Sequence, residues 1–229
     1  MLVLFDIDAT LITTGGVGVK AMIDAGRDLY GPGFTADGIP FAGRLDPLIL
    51  ADMLTLNGQA PTAQAMAVFR ATYAQRLPER LAAGTGRALP GVLPLLAALE
   101  EADGVALGLL TGNFAETGSM KLAACGVDPG RFSIRVWGDE SPHTPPSREH
   151  LPEVGMARYA ERHGRRLAGR QVVIVGDTPH DVACARAHGC RSLAVATGQF
   201  PVPRLLEAGA DHAVATLEDT PAIRDWIVG

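Results

Sequence analysis

The chain has 229 residues, enough to bury a large core either as one sizeable domain or as a core domain carrying an insert. Its 47% hydrophobic content with only 5% aromatics describes a compact chain rather than a disordered one. A formal charge of −5 and a pI near 5.7 speak against a nucleic-acid surface, which needs a concentrated basic face.

In chain order, Leu2-Val3-Leu4-Phe5 reads as a short buried strand that ends at two acids, Asp6 and Asp8. The run is interrupted too early for a secretory signal and no later stretch is long enough to span a bilayer, so no membrane partner is expected. In open parallel sheets, ligands gather at the carboxyl ends of such strands. Two carboxylates at alternate positions there raise each other's proton affinity unless something positive lies between them, and a divalent metal is the simplest answer. Gly15-Gly16-Val17-Gly18-Val19-Lys20 has the look of a nucleotide-binding glycine loop. It lacks the third glycine, where Ala21 falls, and the Ser or Thr that would follow a P-loop lysine, so a hinge is the better reading.

From about Gly15 to Gly84 there are three helical patterns and no convincing strand: Val17 to Leu29, Pro47 to Leu56, and Thr62 to about Leu77, where Pro78 is expected to end or bend the helix. Between two of them, Gly43-Arg44-Leu45-Asp46 offers Arg44 as a grip for a carboxylate or sugar, with Asp46 reading equally well as an N-cap. Beyond the insert, Pro90 to Glu101 forms a helix with Val92, Leu95, Leu96 and Leu99 on one face. Val105 to Leu110 is a strand leading into Thr111-Gly112-Asn113, and Ala115 to Ala124 a helix stopped at Gly126. Strands follow at Phe132 to Trp137, Val172 to Val175, Ser192 to Ala196 and, near the edge, His212 to Ala215, with a helix from Asp181 to His188 stopped at Gly189. This alternation predicts a parallel sheet covered by helices on both faces. Arg162, His163, Arg165 and Arg166 form the densest basic cluster and read as a solvated helix end. Cys125, Cys184 and Cys190 are too scattered for a disulfide framework and are expected as small buried hydrophobes in a reducing cytoplasm.

Phe5-Asp6-Ile7-Asp8-Ala9-Thr10-Leu11 resembles the first motif of the haloacid dehalogenase-like hydrolase superfamily, Asp-x-Asp-Gly-Thr-Leu, and departs from it at Ala9. Leu109-Leu110-Thr111-Gly112-Asn113 and Val173-Ile174-Val175-Gly176-Asp177-Thr178-Pro179-His180-Asp181 match further motifs in the right order, so the resemblance covers nearly the whole chain. It implies an α/β fold: a Rossmann-like parallel-sheet core over residues 1–14 and 85–229, with a helical cap over residues 15–84 that closes on the site. It also implies a Mg²⁺-dependent phosphatase that hydrolyses a small phosphorylated metabolite through an aspartyl-phosphate. The layout is most similar to phosphoglycolate phosphatase-like members.

By the same resemblance Asp6 is the nucleophile and a metal ligand, and Asp8 is the general acid and base, with its backbone carbonyl on the metal. Asp177 is a metal ligand, and Asp181 binds through water or orients that shell. Thr111 and the backbone N–H groups of Gly112 and Asn113 hold phosphate at a helix start, and Thr10 orients Asp8. His180 is left out, because Mg²⁺ prefers oxygen. Family members place a lysine at the start of the helix before the Gly-Asp strand. This chain has only Lys20 and Lys121, neither of them there, whereas Arg148 in Pro146-Ser147-Arg148-Glu149-His150-Leu151 is, and is expected to take the role. Lys121, expected to face solvent, is the fallback. The second motif-one acid, Asp8, favours phosphate esters over carbon–halogen bonds. A phosphosugar mutase stays open, as does a non-catalytic regulator, although all four acids are present. The physiological substrate and the oligomeric state are not legible in the sequence.

Overall fold

The computed structural model describes residues 1–229. In chain order the elements are β1 (Leu2–Phe5), β2 (Ile12–Thr13), α1 (Val17–Tyr30), α2 (Asp46–Leu56), α3 (Ala63–Ala82), β3 (Arg87–Ala88), α4 (Val92–Glu100) and β4 (Ala106–Leu110). There follow α5 (Ala115–Ala124), β5 (Ile134–Val136), α6 (Leu151–His163), β6 (Val172–Gly176), α7 (Pro179–Ala187), β7 (Arg191–Val195), α8 (Val202–Glu207), β8 (His212–Val214) and α9 (Thr220–Val228).

Six strands form one sheet in the order β5-β4-β1-β6-β7-β8, every neighbouring pair parallel. β1 lies inside the sheet and is buried on both faces, which is why its sequence is a continuous apolar run rather than an alternating one. Val3 and Phe5 point to one face, into a cluster with Leu95 and Leu99 of α4 and Ile223 and Ile227 of α9. Leu2 and Leu4 point to the other, against Leu151 and Tyr159 of α6 and Cys184 of α7. Full burial of each such side chain contributes roughly 1.5–3 kcal/mol. The chain leaves β1 for β4 on one side and returns to β6 on the other, so the crevice where the winding reverses opens at the carboxyl end of β1.

α1, α2 and α3 stand apart from the sheet and share their own apolar cluster, with Met22, Leu50, Met53, Phe69 and Tyr73 at its centre and Phe114 reaching in from the sheet side. The two linkers to this insert are joined by the antiparallel pair β2–β3, Ile12 opposite Ala88. Two-residue strands leave no periodicity to read, so the sequence gives no sign of them. α3 does not end at Pro78 but continues to Ala82, a correction to the expectation. Proline removes one backbone donor there, yet the fully buried Leu77 before it and Leu81 after it both pack on the insert's cluster and hold the last turn helical. The three cysteines are free and buried, as expected. No helix is long and apolar enough to cross a membrane.

Candidate active site

The Asp6 N–H donates to the Val175 carbonyl at 2.9 Å, prolonging the β1–β6 ladder until the Asp6 side chain emerges at the carboxyl end of the sheet. The chain then reverses, with the N–H groups of Leu11 and Ile12 both donating to the Ile7 carbonyl. Ala9, at the apex, has φ 58°, the left-handed conformation that favours glycine and strains other residues by roughly 1–2 kcal/mol. The one departure from the family motif thus falls where the backbone itself asks for glycine.

Asp177 follows β6, and Asp181 lies in the first turn of α7, where its Oδ2 accepts from the Thr178 N–H (3.0 Å) and hydroxyl (2.7 Å). Asp6, Asp177 and Asp181 each present a carboxylate oxygen within 4.8 Å of the others, all three buried. Burial, with repulsion from its neighbouring acids, pushes Asp177 up to about 8. Burial likewise raises Asp6 to about 6, against the pull of Arg148. With Asp6 and Asp177 both reluctant to ionise, a cluster built from hard oxygen donors only fits a divalent oxygen-seeking cation.

Arg148, in a short 3₁₀ turn before α6, is itself buried, and its Nη2 lies 3.1 Å from Asp6 Oδ2 and 2.7 Å from Asp181 Oδ1. Its Nε is buried without a partner. The placement beside Asp6 is the one the sequence reading expected.

Asp8 is turned the other way. Its Oδ2 accepts from Lys121 Nζ at 2.8 Å and from Asn113 Nδ2 at 2.9 Å, while Lys121 also donates to Asn113 Oδ1 at 2.6 Å. Burial opposes charge on Asp8, but the Lys121 ammonium and these hydrogen bonds hold its carboxyl below the ordinary value. Lys121 does not face solvent, which corrects the expectation: it is only 5% exposed, on the same face of α5 as the buried Thr117, Gly118 and Leu122. That 117, 118, 121, 122 spacing was the signal that could have revealed it. Gly18 makes room, since a methyl there would sit 3.0 Å from Lys121 Nζ. Two other expectations also change. The Thr10 hydroxyl donates to Asp177 Oδ1 at 3.3 Å rather than to Asp8, because the turn at Ala9 carries it toward β6. The Asn113 side chain, expected to matter only through its backbone, is the bridge between Asp8 and Lys121.

Asp6, Asp8, Asp177 and Arg148 line a cavity of about 270 Å³ together with Thr111, Gly112 and Asn113; Asp181 lies just behind it. The insert supplies the opposite wall. The Asp46 N–H donates to the Gly112 carbonyl at 2.7 Å, and its carboxylate accepts the Phe114 N–H at 3.2 Å, so Asp46 fastens the insert to the Thr111-Gly112-Asn113 loop rather than serving only as a surface cap. The approach is close enough that a methyl at Gly112 would lie 1.9 Å from the Arg44 carbonyl oxygen. Arg44 reaches the cavity, but its guanidinium is bound to Asp52 at 2.7 Å.

This sheet order and the acids gathered at its strand ends describe an α/β fold with a site at its carboxyl edge, and the sequence model for haloacid dehalogenase-like hydrolases matches residues 3–186; the chain belongs to that family of hydrolases. Among particular proteins, it is 28% identical over 239 residues to a protein described as the probable phosphatase IndB of Dickeya dadantii (strain 3937), covering 96% of this chain and 97% of that one. In solved structures the fold recurs in CbbY of Rhodobacter sphaeroides in complex with phosphate, with TM-score 0.75, 19% identity and 95% of each chain covered. It recurs too in a predicted phosphoglycolate phosphatase of Haemophilus somnus 129pt, with TM-score 0.69, 21% identity, and 97% of this chain and 96% of that one covered.

Proposed function

We propose that this enzyme is a Mg²⁺-dependent phosphatase that hydrolyses a small phosphorylated metabolite, phosphoglycolate being one candidate, through an aspartyl-phosphate on Asp6. The observation that carries the reading is the opposite fate of two acids from one strand end. Asp6 lies in an acid cluster against Arg148, while Asp8 is held ionised by Lys121. Two carboxylates whose surroundings push their proton affinities apart have separate tasks. Likeness to a probable phosphatase along nearly the full length points the same way.

In this reading Asp6 attacks phosphorus, and Arg148 offsets the repulsion between its carboxylate and the phosphate oxygens. Thr111 and the N–H groups beside it at the start of α5 hold those oxygens. Asp8, ionised in the free enzyme, takes the proton of the bound ester monoanion and passes it to the departing oxygen, then takes a proton from the water that cleaves the acyl phosphate, and the Lys121–Asn113 pair fixes its direction. Asp6, Asp177 and the Asp8 carbonyl, with Asp181 behind them, would hold Mg²⁺, which would supply the positive charge that the clustered acids and the phosphate share. Residues 15–84 act as a cap hinged at the β2–β3 linkers, excluding water during turnover. Three free cysteines accord with a reducing cytoplasm.

Phosphate release from p-nitrophenyl phosphate, with Mg²⁺ and after exhaustive chelation, tests the reading. Turnover only with the metal is expected; no turnover in either condition refutes it.

A further inference from the structure

The wall that faces the catalytic acids bears on what is attached to the phosphate. Its apolar part is Val19 and Met22 of α1, Phe41 of the following loop and Ile49 of α2, beside Gly15, Gly16 and Gly18 at the start of α1. Three cations border the cavity, and each is already taken by a carboxylate. Arg148 lies against Asp6 and Asp181, and Lys121 against Asp8. Arg44 is held by Asp52, with the Pro40 carbonyl as a second acceptor at 3.3 Å. The remaining charged group of the wall is an acid, Asp46, buried and engaged through Oδ2 alone.

A second anionic group on the substrate would therefore lose its water without gaining a free cation. Drawing Arg44 onto a substrate anion would exchange one carboxylate for another and give up the Pro40 hydrogen bond, although half-exposed Asp52 would regain water, so Arg44 is the one bordering cation that an Arg44→Ala variant must address directly. An uncharged alcohol loses nothing of the kind, covers apolar wall, and can donate a hydroxyl or N–H to Asp46. The small volume, about 270 Å³, sets the scale of the ligand.

We propose that the enzyme acts on phosphate monoesters of uncharged alcohols that lay an apolar face on α1 and α2 and donate to Asp46, and that it discriminates against esters carrying a second anionic group. The inference rests on the phosphatase reading and narrows it, disfavouring phosphoglycolate and sugar bisphosphates. Arg44, in this account, is a structural partner of α2 rather than a carboxylate grip.

The test compares kcat/KM of the Mg²⁺-loaded enzyme for p-nitrophenyl phosphate, benzyl phosphate, glycerol 3-phosphate, phosphoglycolate and fructose 1,6-bisphosphate. Benzyl phosphate, which covers only the apolar part of the wall, and glycerol 3-phosphate, whose hydroxyls can also donate to Asp46, should each exceed both doubly anionic esters by at least about tenfold, the discrimination expected when an anion meets no counter-charge. Val19→Lys, at a half-buried position on the cavity wall, should narrow the gap for phosphoglycolate by about tenfold. Phosphoglycolate or the bisphosphate turned over as well as benzyl phosphate overturns the inference, most directly if Arg44→Ala abolishes that activity while sparing p-nitrophenyl phosphate. Failure on every ester, p-nitrophenyl phosphate included, overturns the phosphatase reading and this inference with it. Aryl turnover combined with a preference for anionic esters overturns this inference alone.

Discussion

Arg148 and Lys121 are the two buried cations of the site, and each answers a different acid. The sequence led to Arg148 by position, between a Pro-rich loop and a helical pattern, because the usual lysine was missing there. It misplaced Lys121, whose helix was read for its ends and not for its faces. Arg148→Ala should lower kcat by about 10²–10³-fold on every ester, as loss of a cation aimed at developing charge does. Arg148→Lys guards against a folding defect and should recover part of that loss. Lys121→Ala should cost more on alkyl than on aryl esters, because Asp8 loses the hydrogen bonds that aim it at the departing oxygen, and an alkoxide needs that proton where a nitrophenolate hardly does. Steady-state kinetics on the two ester types would expose the error if Arg148→Ala were near normal. Asp46 carries a separate expectation. Burial raises its carboxyl from 3.8 to about 7, so its contribution to stability is complete below the unfolded value and is lost as pH rises through about 7. Asp46→Asn keeps an acceptor for the Phe114 N–H and never ionises. Its melting temperature relative to the parent should therefore climb between pH 5 and 8, and a flat difference would remove buried ionisation from the account.

At the scale of elements, the central strands and most helices were legible because each is buried in one recognisable pattern: continuous apolar runs for β1, β4 and β6, and a Val92, Leu95, Leu96, Leu99 face for α4. What escaped was set by tertiary contact. The β2–β3 pair forms only because both linkers pass the same point, and α3 outlasts Pro78 because α1 and α3 bury Leu77 between them. The residues joining insert to core were equally invisible. Arg70 of α3 forks onto Glu116 of α5 (2.6 and 2.9 Å) and onto Asp139 (2.7 Å), with its guanidinium 4.1 Å from the Phe114 ring. The hydrogen-bonded Arg70 holds Glu116 below its ordinary value, so this contact persists through neutral pH and is lost only as pH falls through that lowered value. Arg70→Met should loosen the insert: KM rises, and limited proteolysis between residues 17 and 82 accelerates at neutral pH. Unchanged proteolysis would show that the Asp46 contacts hold the insert without it.

The whole molecule brings three strand ends and a helical insert to one cavity, and its chemistry depends on positive charge that the acids cannot supply for one another. Mg²⁺ should raise the melting temperature as well as activity, by about 2.7 kcal/mol of stability at a hundredfold excess over its dissociation constant, and Asp177→Asn should lose most of both effects. A melting temperature indifferent to Mg²⁺ would count against the acid cluster as its site. The claim on which the rest depends is that Asp6 carries the phosphoryl group. Asp8→Asn, slow to hydrolyse the intermediate, can be mixed with p-nitrophenyl phosphate and Mg²⁺, quenched within milliseconds, and reduced with borohydride, which converts an aspartyl-phosphate to homoserine. Peptide mass spectrometry should then find homoserine at position 6 and at no other aspartate, whereas a burst of nitrophenol without it, or with it elsewhere, would contradict the account.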